Sequence, residues 1–155
     1  MDVFRILKQP YWTDPLSVIG AQKAPGRWNP KGLGILYTSS SPALALLETM
    51  VHFPAIDYED LPALRLFTLS IPDDQIRWAN PASLPPDWDD PAQLPVTQIY
   101  FQEWLLTPSE LVLAVPSAVL AVSWNFLIHP QHPRFEQIQI LHQKDIALER
   151  RLWKI

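Results

Sequence analysis

The sequence predicts an α+β fold with mixed, mostly antiparallel sheets and a few helices. Short apolar or alternating runs bounded by turn residues recur along the chain, and such runs are typical of strands. Only two longer segments have the apolar spacing of helices. Strands and helices do not alternate regularly, which disfavours a doubly wound parallel sheet. The chain has 155 residues, which is the length of one domain, so we expect a single domain over residues 1–155.

The first predicted elements are two strands and a helix. Residues 3–8 form a short apolar-rich run, and residues 34–38 form a second run that enters a serine cluster; both predict strands. Ser41 and Pro42 then have the residue types of a helix start, because serine is a favoured N-cap and proline is favoured at the first helical position. We expect this helix to run to about Phe53, where a following proline stops it.

The middle of the chain predicts a strand, a long loop and a second helix. Residues 64–71 alternate in the manner of a strand. Residues 81–95 contain five prolines and three aspartates, and proline stiffness allows such a loop to be ordered without secondary structure. Residues 96–106 predict a helix. The segment 57–90 carries eight acidic residues, and we interpret it as surface without chemistry.

Three strands and a turn are expected in the last third of the chain. Residues 111–115 and 123–128 predict strands, and the His-Pro-Gln-His-Pro run at 129–133 predicts a rigid turn. Residues 138–141 fit either a helix or a strand. Residues 145–152 alternate like a final strand.

Composition disfavours several classes of function. With no cysteine, the chain has no disulfide framework, thiolate zinc site or cysteine nucleophile, and we expect a cytoplasmic protein. The sequence lacks a run of about 18 apolar residues that would cross a membrane, and its start lacks the apolar core of a signal peptide. The net charge of −4 disfavours general binding to nucleic acid. The four histidines lack metal-ligand spacing, so no metal site is expected.

Glycine and positive charge coincide in one segment. All four glycines lie within residues 20–34, in a chain with 17 prolines. Lys23, Arg27 and Lys31 lie in the same segment, and no acidic residue occurs between Asp14 and Glu48. Backbone N–H groups and a guanidinium can together bind an anion such as phosphate. A solvated basic loop is the alternative that the charge pattern leaves open.

Glu48 and Arg27 are the most informative single residues. Glu48 lies within an apolar helix, and a carboxylate near a buried face must be paired or functional; the alternative is a place on the exposed stripe of the helix. Arg27 is followed by Trp28, and this pair suits a phosphate clamp with a stacking wall. A surface pair between Arg27 and a carboxylate is the alternative.

Six short segments, spread over nearly the whole chain, form a combination that is specific although no single segment is. They are Phe-Arg-Ile at 4–6, Gly-Arg-Trp-Asn-Pro-Lys-Gly at 26–32, Ile-Leu-Tyr-Thr-Ser at 35–39, Ala-Leu-Leu-Glu at 45–48 with His52, Val-Pro-Ser at 115–117, and residues 125–133. Together they resemble the motifs of the RES-domain family, the toxins of RES–Xre toxin–antitoxin pairs. The family takes its name from an arginine, a glutamate and a serine, which match Arg27, Glu48 and Ser117.

The resemblance implies a fold related to ADP-ribosyltransferases and a site that cleaves NAD at the nicotinamide–ribose bond. Family members hydrolyse or phosphorolyse NAD, or transfer ADP-ribose to a protein, and the residues leave the acceptor open. NAD would be the substrate, with no further cofactor. An Xre-type antitoxin would occlude the site, and DNA would be reached only through it. A non-catalytic interaction domain with the same fold is the alternative of a different class.

The roles expected from this resemblance fit the chemistry of each side chain. Glu48 would stabilise the positive charge that develops on the ribose. Arg27 would bind the pyrophosphate, with Lys31 as a second cation. Tyr37 would stack on the nicotinamide ring. Ser117 and Asn125 would hydrogen-bond the ribose or a phosphate. Whether Arg27 and Glu48 face one another is left open by the sequence.

Overall fold

Seven strands and four α-helices form the fold in the computed structural model, which describes residues 1–153. The strands are β1 (Asp2–Lys8), β2 (Leu36–Ser39), β3 (Leu64–Ser70), β4 (Ile76–Trp78), β5 (Val112–Pro116), β6 (Trp124–Ile128) and β7 (Gln139–Ile146). The helices are α1 (Ile19–Lys23), α2 (Pro42–Met50), α3 (Leu94–Tyr100) and α4 (Gln102–Leu106). The α+β prediction is therefore confirmed. Within residues 1–153, no helix has the length and apolar character needed to cross a membrane.

All seven strands belong to one sheet in the order β4-β5-β6-β2-β1-β3-β7. Every neighbouring pair is antiparallel except β4 and β5, which are parallel. In the centre of the sheet, Asn125 of β6 lies opposite Ser39 of β2 on one side and Val115 of β5 on the other. Residues opposite each other in a ladder have side chains on the same face. This register therefore brings polar side chains from separate parts of the chain together.

The two faces of the sheet carry different apolar clusters. On one face, Phe126 and Ile128 pack with Leu36 and Phe67. On the other face, Leu127 and Leu113 pack with Trp28 and Trp104, and α2 buries Ala45 against β1 and β3. Burial of each large apolar side chain contributes about 1.5–3 kcal/mol. Because side chains alternate along a strand, Asn125 shares the face of Leu127, and this is the face that α2 covers.

The start of α2 is as predicted, and its end is earlier. The Ser41 hydroxyl accepts a hydrogen bond from the Leu44 backbone N–H at 3.1 Å, and Pro42 occupies the first turn. The helix ends at Met50 rather than at Phe53. Proline disfavours the helical conformation of the residue before it, so the chain leaves the helix in a turn ahead of Pro54.

The helix predicted at 96–106 is divided into α3 and α4. The division is at Phe101, whose φ of −105° and ψ of 24° lie outside the helical range. The Phe101 side chain is buried against Trp28, with ring centroids 5.4 Å apart. Packing of this aromatic side chain therefore accompanies the break that periodicity alone did not indicate.

The final strand predicted at 145–152 is wrong. The strand β7 begins at Gln139 and ends at Ile146, so the ambiguous run at 138–141 is part of a strand. Ile146 lies opposite Leu64, the first residue of β3, and the chain beyond has no further strand residue to pair with. It turns instead into a short 3-10 helix at Arg150–Leu152. The sequence patterns also missed α1 and β4, which are too short for periodicity to show.

The turn predicted at residues 129–133 is confirmed and holds a buried histidine. His129 is 3% exposed; its Nε2 lies 2.9 Å from the Leu105 carbonyl oxygen, and its Nδ1 accepts from the Gln131 N–H at 3.2 Å. An accepting Nδ1 and a donating Nε2 describe a neutral ring. Burial lowers the pKa of His129 below its ordinary value, and the nearby His132 acts in the same direction.

We expect His129 to make the fold less stable as the pH falls. The pKa of His129 in the folded state lies below its ordinary value. The contribution of the neutral ring to the free energy of unfolding is therefore complete above about pH 6.5 and is lost as the pH falls through the folded-state pKa. The free energy of unfolding, measured with urea between about pH 7 and 5, should fall more steeply for the wild type than for His129→Gln, by at most about 1.4 kcal/mol per pH unit. His142→Gln at an exposed site of β7 controls for loss of a histidine. Parallel curves for wild type and His129→Gln would contradict this assignment.

Candidate active site

The carboxylate of Glu48 is held by two side chains from other parts of the chain. Its Oε1 accepts a hydrogen bond from the Ser117 hydroxyl at 2.7 Å and another from the Asn125 side-chain amide at 2.5 Å. Glu48 is half-buried on α2. The sequence left open whether Glu48 is a paired carboxylate or lies on the exposed stripe of its helix. The structure shows a paired carboxylate.

Ser117 directs its only proton at Glu48. The side chain is fully buried just beyond β5. Its oxygen accepts from the backbone N–H groups of Val119 and Leu120, each at 3.0 Å. A hydroxyl has one proton and two acceptor positions, so these two backbone donors leave the proton for the carboxylate. Ser117 thus fixes the position of Glu48 Oε1.

Asn125 is held on its far side by Ser39. The Ser39 hydroxyl donates to Asn125 Oδ1 at 2.8 Å, while Asn125 Nδ2 donates to Glu48. Sequence reasoning did not select Ser39, because its partner is identified only once β2 and β6 are aligned. The bonds that Ser117 and Asn125 donate to Glu48 both end on Oε1. Within residues 1–153, Glu48 Oε2 makes no hydrogen bond and is the oxygen left for a ligand.

Arg27 is anchored by backbone oxygens of the acidic loop. Its Nη1 donates to the carbonyl of Trp88 at 2.5 Å and to that of Asp90 at 3.2 Å. A guanidinium has five N–H donors in a planar fork, so the edge formed by Nε and Nη2 is left for an anion. Segment 57–90, interpreted from the sequence as surface without chemistry, therefore supports the site through the carbonyls of Trp88 and Asp90, which hold a cationic side chain.

The charges of the site act on one another. Burial lowers the pKa of Arg27, and the negative charges of Asp89 and Glu48 oppose this. Burial also raises the pKa of Tyr37 well above its ordinary value, Arg27 opposes this rise, and Glu48 adds to it. Arg27, Tyr37 and Glu48 thus lie within one electrostatic environment.

Trp28 is a core residue and not a stacking wall. Its ring is 3% exposed and packs beside Trp88, with centroids 5.7 Å apart and planes at 25°. The indole of Trp28 is thus covered and cannot present a face to a ligand. Its contact with Trp88 instead fixes the loop whose carbonyls bind Arg27.

Asn29 closes the loop that carries Arg27. The side chain is fully buried. Its Nδ2 donates to the carbonyls of Ala21 and Leu33, each at 2.8 Å, and its Oδ1 accepts from the Gly26 N–H at 3.1 Å and from the Tyr37 hydroxyl at 2.7 Å. All donor and acceptor positions of the amide are therefore used. The motif Arg-Trp-Asn-Pro pointed to this residue, but only the fold shows what it binds.

The hydroxyl of Tyr37 is part of the same loop closure. It also accepts from the Trp28 N–H at 3.2 Å, so it is engaged by the protein on both sides.

Lys31 is exposed and makes no hydrogen bond or ion pair within residues 1–153. Its role as a second cation stays a prediction, as do the NAD contacts expected of Tyr37, Ser117 and Asn125. Among residues 1–153, no three metal-ligating side chains cluster.

Comparison with known proteins identifies the family. A family model described as the RES domain matches residues 2–150. The chain belongs to the RES domain family. The family resemblance expected from the sequence motifs is thereby confirmed. Of the three residues that match the family's name, Glu48 and Ser117 are hydrogen-bonded to each other, and the charge of Glu48 acts on Arg27.

Curated relatives in this family cover most of the chain. Toxin Res of Yersinia enterocolitica (serotype O:8 / biotype 1B) is 36% identical over 137 residues, which are 88% of either chain. The Prs ADP-ribosylating toxin of Sphingobium sp. (strain YBL2) is 37% identical over 127 residues, 79% of this chain and 77% of the relative. Toxin Res of Photorhabdus laumondii is 30% identical over 155 residues, 99% of this chain and 98% of the relative.

The RES domain fold is also similar to a solved structure. The match is to the crystal structure of the M. tuberculosis MbcT–MbcA toxin–antitoxin complex, with a TM-score of 0.75 and 21% identity. It covers 94% of this chain and 84% of that chain. At this identity the similarity shows a shared fold.

We expect the loop that carries Arg27 to reject a side chain at Gly26. A Cβ there would lie 2.5 Å from the Tyr37 hydroxyl and 2.9 Å from Asn29 Oδ1, so Gly26→Ala should lower the free energy of unfolding by about 1–3 kcal/mol. Gly20→Ala is the matched control, because nothing lies within 4 Å of its Cβ position. It lies in α1, where alanine is favoured over glycine by about 0.5–1 kcal/mol. Equal denaturation midpoints for the two variants would contradict this packing.

Proposed function

We propose that this chain is the toxin of a toxin–antitoxin pair and cleaves NAD at the nicotinamide–ribose bond. The observation that supports it most is the half-buried Glu48 carboxylate, which is fixed through Oε1 and leaves Oε2 for a ligand. A preorganised negative charge is what a positively charged transition state requires. NAD is the substrate in this proposal, and no further cofactor is invoked.

The proposed reaction breaks the bond between ribose C1′ and the nicotinamide nitrogen. The electron pair of that bond passes to the pyridinium, which leaves as neutral nicotinamide, and positive charge develops on the ribose as in glycoside hydrolysis. Glu48 Oε2 accepts a hydrogen bond from a ribose hydroxyl and stabilises this charge. Water, phosphate or a protein side chain then forms the new bond at C1′; water or a neutral side chain loses its proton to solvent.

Arg27 is proposed to bind the pyrophosphate. The carbonyls of Trp88 and Asp90 occupy Nη1, so the Nε and Nη2 edge can donate two hydrogen bonds to a phosphate in the bidentate geometry that guanidinium favours. Lys31 is the proposed second cation. The Tyr37 ring is proposed to orient the nicotinamide, since its hydroxyl is already bonded. The bonds of Ser117 and Asn125 to Glu48 favour a role in positioning the carboxylate.

Protein ADP-ribosylation is the second candidate function. It is favoured by the relative named Prs ADP-ribosylating toxin, which is 37% identical to this chain. The two functions share the cleaved bond and differ only in the acceptor at C1′. A mass increase equal to ADP-ribose on a cellular protein, present with the wild type and absent with Glu48→Gln, would favour transfer over hydrolysis or phosphorolysis.

The proposed partner is an Xre-type antitoxin that occludes the site in the cytoplasm. The structural neighbour was solved as a toxin–antitoxin complex, and Arg27 and Glu48 of this chain are only partly buried, so a partner can reach them. Growth arrest on expression of the chain, relieved by the protein encoded beside it, would support this partner.

We expect Glu48→Gln to abolish activity without unfolding the protein. The glutamine oxygen can still accept from Ser117 and Asn125, while the negative charge is lost. Nicotinamide release from NAD, followed with and without inorganic phosphate, should fall by at least about 100-fold, with the thermal midpoint close to that of wild type. Wild-type protein that releases no nicotinamide under either condition and modifies no protein would contradict the proposed function.

We expect Arg27→Lys to weaken NAD binding although the charge is kept. A lysine ammonium is a point charge and cannot form the paired bonds of a guanidinium, so KM for NAD should rise by about tenfold, equivalent to about 1.4 kcal/mol. Lys23→Ala removes an exposed cation from the same basic segment and is the matched control. An unchanged KM in Arg27→Lys would exclude Arg27 from the pyrophosphate site.

A further inference from the structure

We propose that Ser39 is a positioning residue of the active site and acts on Glu48 through Asn125. This inference rests on the proposed function for its kinetic test and on the hydrogen-bond geometry for its structural test. Ser39 would hold the Asn125 amide in the orientation that keeps Nδ2 on the carboxylate. It would act without touching the substrate, since it is only 4% exposed.

Two consecutive hydrogen bonds connect Ser39 to Glu48 through Asn125. The Ser39 hydroxyl donates to Asn125 Oδ1 at 2.8 Å, and Asn125 Nδ2 donates to Glu48 Oε1 at 2.5 Å. The two residues lie directly opposite in the β2–β6 ladder. Their backbones are therefore fixed by the sheet, and their side chains emerge on the same face.

The chemistry of the three groups fixes the direction of both hydrogen bonds, from Ser39 to Asn125 and from Asn125 to Glu48. A carboxylate is acceptor-only, so it requires the amide nitrogen, and the amide oxygen must then face Ser39. Without the hydroxyl, Asn125 Oδ1 would be a poorly solvated acceptor with no protein partner, and the amide would be free to tilt toward water. Hydrogen bonds in a chain also polarise one another. Ser39 thus strengthens the bond that Asn125 makes to Glu48.

The residue before Ser39 provides a matched control. Thr38 is 3% exposed, and its hydroxyl donates to the Phe126 carbonyl at 2.8 Å. It lies on the same strand with a similar buried hydrogen bond, but its side chain emerges on the opposite face of the sheet. Thr38→Val therefore removes a comparable bond without affecting the chain that leads to Glu48.

The kinetic test compares Ser39→Ala, Ser39→Thr and Thr38→Val in the nicotinamide-release assay. Ser39→Ala should lower kcat about five- to tenfold, as expected for one hydrogen bond of about 1 kcal/mol. KM should change less than about twofold, because Glu48 acts in the transition state. Ser39→Thr keeps the hydroxyl and should restore kcat, and Thr38→Val should retain it. A wild-type kcat in Ser39→Ala, or an equal loss in Thr38→Val, would overturn the proposal.

A double-mutant cycle tests the route through Asn125. In the Asn125→Ala background, Ser39→Ala should cause no further loss of kcat, because the group it orients is gone. A further loss of the same size would show that Ser39 acts independently and would overturn the proposal.

The structural test does not depend on the reaction. If the wild type releases no nicotinamide, the proposed function fails, and the positioning role is decided by denaturation midpoints. Glu48→Ala removes the acceptor of the Asn125 amide, so the effects of Ser39→Ala and Glu48→Ala on the midpoint should be non-additive in the wild type and additive in Asn125→Ala. Additivity in both backgrounds would overturn the role of Ser39.

Discussion

The pair of hydrogen bonds on Glu48 Oε1 is the interaction on which the arrangement of the site depends. A half-buried carboxylate that lost its donors would pay a desolvation penalty of about 1–3 kcal/mol or more. Its donors come from the turn after β5 and from β6, while Glu48 itself lies on α2. The carboxylate therefore joins a helix to two central strands. The same contact that positions the charge also fixes α2 over the sheet.

The cationic half of the site is built by a different means. Arg27 lies on an irregular loop, and that loop takes its shape from one buried amide, Asn29, and from the packing of Trp28 on Trp88. Backbone carbonyls then orient the guanidinium. The negative group is thus positioned by regular secondary structure, and the positive group by a loop with a core of its own. The proposed NAD cleavage requires both charged groups to be held in place before the ligand binds.

The parts of the site that follow from residue type could be predicted from the sequence, and the parts that follow from long-range pairing could not. An acid within an apolar helix and an arginine between glycines pointed to Glu48 and Arg27, and motif resemblance added Ser117. Ser39 was missed because it gains its partner through a register between strands 86 residues apart. The carbonyls of Trp88 and Asp90 were missed because a backbone oxygen leaves no signature in residue identity. The same is true of the fold. Strands bounded by turn residues could be predicted from the sequence, whereas the end of β7 depends on its pairing with the first residue of β3.

The Asn29 amide uses all of its hydrogen-bonding positions, and this affects how genetic selections are interpreted. No other side chain supplies two donors and two acceptors in that geometry, because aspartate lacks the donors and glutamine is longer by a methylene. If expression of the chain arrests growth as proposed, a selection for surviving cells will return substitutions at Asn29 as readily as at Glu48. The surviving cells will then carry a mixture of alleles, some that lose the negative charge of Glu48 and some that lose the shape of the loop around Asn29. Loss of toxicity alone is therefore no map of catalytic residues in this protein, and alleles have to be sorted by protein level before they are interpreted.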